Sequence, residues 1–136
     1  MIAATSKSVN LLAVNVNVPS FYSALAASAI VAHYKEGGVP IGLRRPITND
    51  SFFDSWSFEL GEYASKVAYH YSAGPLQWGQ AEKAWDPVQL YRKMLSKQED
   101  QSVTTVSIGF FENVWHLPPA KGHSTLISCC ISFQAC

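Results

Sequence analysis

Residues 11–43 carry the pattern that most narrows the folds open to this chain of 136 residues. Leu11, Leu12, Ala13, Val14, Asn15 and Val16 form a nearly continuous apolar run, as expected of a strand covered on both faces. Asn17, Val18, Pro19 and Ser20 end it as a turn. Pro19 disfavours helix in the residue before it and tolerates a helix start just after, where Ser20 supplies an N-cap oxygen. Residues 21–34 then hold Ala24, Leu25, Ala26, Ala27, Ala29, Ile30 and Val31, which suit a helix lying flat on a sheet. Gly37 and Gly38 stop that helix, and residues 39–43 make a second short strand. Strand, turn, helix, glycine stop, strand predicts a βαβ unit with a parallel pair and a right-handed crossover. The fold class expected is therefore α/β, an open and mostly parallel sheet with flanking helices.

The rest of the chain extends this pattern. Residues 58–71 place Leu60, Tyr63, Ala64, Val67, Ala68 and Tyr71 at helical spacing, ended by Ser72, Ala73, Gly74 and Pro75. A Trp-containing loop leads to Asp86 and Pro87, an N-cap with proline at the first helical position, and Val88, Tyr91, Met94 and Leu95 make one apolar face. Residues 102–108 are β-branched at five of seven positions, which predicts a third strand packed on both sides. Gly109 breaks that strand, and Phe110, Phe111, Glu112 and Asn113 form a loop at its carboxyl end. Three parallel strands would bring Asn15 and Asn17, Arg44 and Arg45, and the 109–113 loop to one edge, where ligands of open α/β sheets bind. Carboxamides and main-chain carbonyls at such an edge suit hydroxyl-rich ligands and hard cations.

Composition removes several classes of function. Ten Lys and Arg balance ten Asp and Glu, so no basic face for nucleic acid and no charged tail is expected. With 48% hydrophobic residues the chain suits one globular domain. Cys129, Cys130 and Cys136 crowd the last eight residues in a spacing that fits neither a disulfide framework nor a zinc site. His33, His70, His116 and His123 are scattered without metal-ligand spacing, and Glu59 and Glu62 share a helix face that reads as solvated. Asn49, Asp50 and Ser51 form a glycosylation sequon. No nucleophile elbow, phosphate-binding glycine loop or signal peptide is visible, and no apolar run is long enough to span a membrane. Localisation defaults to the cytoplasm.

The segments NLLAVNVNVPSFYSALAASAI, VPIGLRRPI, FFDSWSFELGEYASKVAYHY, AWDPVQLYRKML and SVTTVSIGFFENV together resemble the fungal branch of the inosine-uridine-preferring nucleoside hydrolase family. The likeness covers residues 10–114 and leaves residues 1–9 as an extension and residues 115–136 as an atypical tail. It implies a Rossmann-like fold and N-ribohydrolase chemistry of nucleoside salvage, in which a Ca²⁺-bound water attacks the anomeric carbon of a ribonucleoside. It also implies that Asn17 contacts the ribose, with Val16 standing where the family has glycine. On the same match the main-chain carbonyl of Glu112, in place of the usual threonine, is a Ca²⁺ ligand, and Asn113 is the substrate-binding asparagine after it.

The family's N-terminal aspartate cluster, of the form DxDxxxDD, is absent from the sequence: residues 1–9 contain no carboxylate. Residues after Val114 supply neither the distal aspartate nor the leaving-group histidine of the family. The chain thus resembles an incomplete slice of the domain, expected to lack both Ca²⁺ and turnover. The alternative is a remnant of that fold that binds a ribosyl ligand or a protein without catalysis, alone or as a homo-oligomer. An exposed sheet edge predicts marginal folding.

Overall fold

The computed structural model describes residue 6 and residues 8–34, 37–49, 63–108 and 125–128. Strand β1 (Val14–Val16) pairs in parallel with β2 (Ile41–Leu43) in the register Val14↔Ile41, Asn15↔Gly42 and Val16↔Leu43. Helix α1 (Phe21–His33) connects them, so the βαβ unit is present as its sequence predicts. The strands are shorter than the apolar runs that contain them.

Local chemistry explains where α1 starts. The Ser20 hydroxyl accepts from the Tyr22 amide at 3.3 Å, and its carbonyl accepts from Ser23 at 3.1 Å. The Phe21 amide donates to the Thr48 carbonyl at 2.8 Å, while Thr48 donates to Pro19 at 2.7 Å. Every amide of the first turn is therefore satisfied, which is what a buried helix start requires. Tyr34 caps the other end. The helix buries Ala24, Leu25, Ala26, Ala29 and Val31. Leu25 and Val31 join Ile41 and Leu43 of β2 in one core, with Val14 and Val16 packed against it. Burying each such aliphatic side chain contributes about 1.5–3 kcal/mol.

Helix α2 (Tyr63–His70) adds Ala68 to that core and packs along α1. The segment after it is held by one hydroxyl. Ser28 of α1 is fully buried, donates to the Ala73 carbonyl at 2.7 Å and accepts from the Leu76 amide at 2.9 Å. Gly74 passes so close that a Cβ would lie 2.6 Å from the Ser28 carbonyl oxygen, and its φ of +83° is one that L side chains rarely adopt. A short 3-10 turn (Ala81–Lys83) follows, then α3 (Pro87–Leu95). The Asp86 carboxylate caps α3 by accepting from Gln89 at 3.0 Å, with Pro87 in the first turn, as expected from the sequence.

The third strand differs from expectation in both partner and burial. Trp85 donates to the Ile41 carbonyl and accepts from the Leu43 amide, each at 2.9 Å, and so occupies the second edge of β2. With that edge taken, β3 (Thr104–Ser107) pairs in parallel with β4 (Thr125–Ser128) in a separate two-stranded sheet. Residues 102–108 are not packed on both sides: exposure alternates along β3, with Val106 60% and Ile108 72% accessible. β-Branched residues favour extended backbone whether or not the second face is covered, so they announced the strand and not its burial. The atypical tail contributes β4, which no clean periodicity had indicated. Among the described residues no helix is long and apolar enough to cross a membrane. The architecture is mixed α/β with parallel strand pairing.

Candidate functional site

The carboxyl end of β1 and β2 is the edge at which a βαβ unit offers polar groups to a ligand. The Arg44 amide donates to the Val16 carbonyl at 3.2 Å, which closes the Val16↔Leu43 pair and brings the Arg44 backbone up to the 16–17 peptide. Side chains alternate across a strand. Val14, Val16, Ile41 and Leu43 belong to the α1 core, which assigns Asn15 and Gly42 to the opposite face, while Asn17 and Arg44 directly follow the two strands. On that face Asn15 lies against Gly42, with Leu90 of α3 packed over the pair. Asn17 and Arg44 are both half-buried, and both have interactions within the chain.

Asn15 is the unusual member. Its Oδ1 is buried and has no hydrogen-bond partner. The side chain lies over Gly42, where a Cβ would meet Asn15 Oδ1 and stand 2.9 Å from Asn15 Cγ and 3.1 Å from Leu90 Cδ2 of α3. Glycine at 42 is thus what allows a carboxamide to lie flat across the pair. An unsatisfied buried acceptor costs about 1–3 kcal/mol, so a native strand that keeps one is using it or accommodating it for another reason.

Arg45, expected at the same edge, serves a different purpose. Its Nη1 donates to Glu82 Oε2 at 2.8 Å, and its Nη2 donates to the carbonyls of Glu82 and Ala84 at 3.0 and 2.9 Å. It ties the 81–83 turn to the exit of β2, and so helps set Trp85 against that strand. Because β3 lies in another sheet, the three strand exits do not converge on one edge; those of β1 and β2 do. Glu112 and Asn113, with the rest of the 109–113 turn, lie outside the described residues, as do His116, His123 and the cysteines. His33 and His70 are exposed at the last turns of α1 and α2.

Among the described residues, the donors at this edge do not make up the oxygen set of the Ca²⁺ that the family resemblance implies. Calcium takes about six to eight oxygens, several of them carboxylate. Glu82 is paired with Arg45, Asp86 caps α3, and Glu99 and Asp100 are exposed after that helix. Among the described residues no group of three or more His, Cys, Asp or Glu side chains could hold a metal ion.

Two sequence signals pointed to the Asn15–Gly42 pair without being read as one: a carboxamide inside an apolar run, and a glycine inside a short strand, the usual mark of a close approach. Their pairing needed the register. Comparison of the chain with protein-family models, with curated proteins and with solved structures finds no match.

Proposed function

We propose that this chain is a nucleoside-hydrolase-like α/β unit that binds a ribosyl ligand at the carboxyl end of β1 and β2, and that this polypeptide by itself does not hydrolyse it. In this reading β1 and β2 belong to a larger open sheet of Rossmann-like type. The observation that carries the proposal is the position of Asn17, directly after β1 in a parallel βαβ unit, where the Arg44 amide bonds the Val16 carbonyl. Ligands of such folds sit in the crevice beyond the strand ends. A carboxamide both donates and accepts, which matches the paired hydroxyls of a ribose.

Cleavage of an N-glycosidic bond by water asks for more. A general base must come within hydrogen-bond reach of the attacking water, or a metal must lower the water's pKa. The described carboxylates nearest in sequence to the edge are engaged: Glu82 balances Arg45, and Asp86 caps a helix. Among the described residues, that donor set supports binding without turnover.

Two measurements test the proposal. Chromatography of inosine and uridine incubated with the 136-residue chain is expected to show no Ca²⁺-dependent release of free base; release that a chelator abolishes would overturn the inactive half. Titration with ribose is expected to show saturable binding that Asn17→Ala removes while circular dichroism shows the variant still folded. Absence of any ribosyl binding by the folded chain would overturn the binding half.

A further inference from the structure

We draw no further inference here: the strongest candidate, the surface patch in which Trp78 meets Phe21 and Tyr22 at the start of α1 and Tyr69 in the last turn of α2, carries nothing, because nothing among the described residues shows what covers it.

Discussion

Replacing Gly42 by alanine tests the packing of Asn15 over the β1–β2 pair most directly. The added Cβ would press on Asn15 Oδ1 and lie 2.9 Å from Asn15 Cγ and 3.1 Å from Leu90 Cδ2. Carbon atoms prefer about 3.5–4.0 Å, so two neighbours from different elements must each give by roughly half an ångström or more. Inserting a methyl into such a site costs about 1–3 kcal/mol. Removing a glycine from a strand returns about 0.5–1 kcal/mol of backbone entropy, so the net loss should be about 1–2 kcal/mol. That corresponds to a fall in Tm of about 4–8 °C for a chain of this size. Asn15→Ala, by contrast, deletes an acceptor that has no partner and should be close to neutral, because the lost packing is offset by an avoided desolvation cost. In the double variant Asn15→Ala with Gly42→Ala the principal clash is gone, and a coupling of about 1 kcal/mol or more should appear. Urea unfolding followed by tryptophan fluorescence measures all four corners of the cycle. Additive costs, or a Gly42→Ala variant as stable as the parent, would refute the packing of Asn15 over Gly42.

Two further outcomes follow from single side chains. Ser28→Ala strands the Ala73 carbonyl and the Leu76 amide at a fully buried position and should cost about 2–3 kcal/mol, with faster hydrogen exchange at the Leu76 amide as the local check. Asp86→Ala removes the cap of α3 and should cost about 1 kcal/mol in a thermal melt, while Asp86→Asn should retain most of the stability because it still accepts from Gln89.

What could be read from the chain without its structure was local chemistry. Ser20 beside Pro19 announced the start of α1, and Asp86 beside Pro87 that of α3, because a cap acts on amides two or three residues away. The apolar runs around Val14 and Ile41, separated by a helix of small residues, announced a parallel pair, since a crossover helix leaves the two strands running the same way. Asn17 at the strand exit was legible for the same reason. Arg44 directly after β2 was legible likewise, whereas the different role of Arg45 was not distinguishable by composition or spacing.

The sequence by itself determined the βαβ unit, its caps, and the polar groups that end its strands, because hydrogen bonds and torsions within a few residues decide those. Tertiary structure alone decided which backbone closes the second edge of β2, and it is Trp85 rather than the β-branched strand at 104–107. Arg45 became part of that closure by reaching Glu82 and Ala84. The pairing of Asn15 with Gly42 is of the same kind. Register joins residues 27 positions apart, and no local preference of either residue encodes which one it will face.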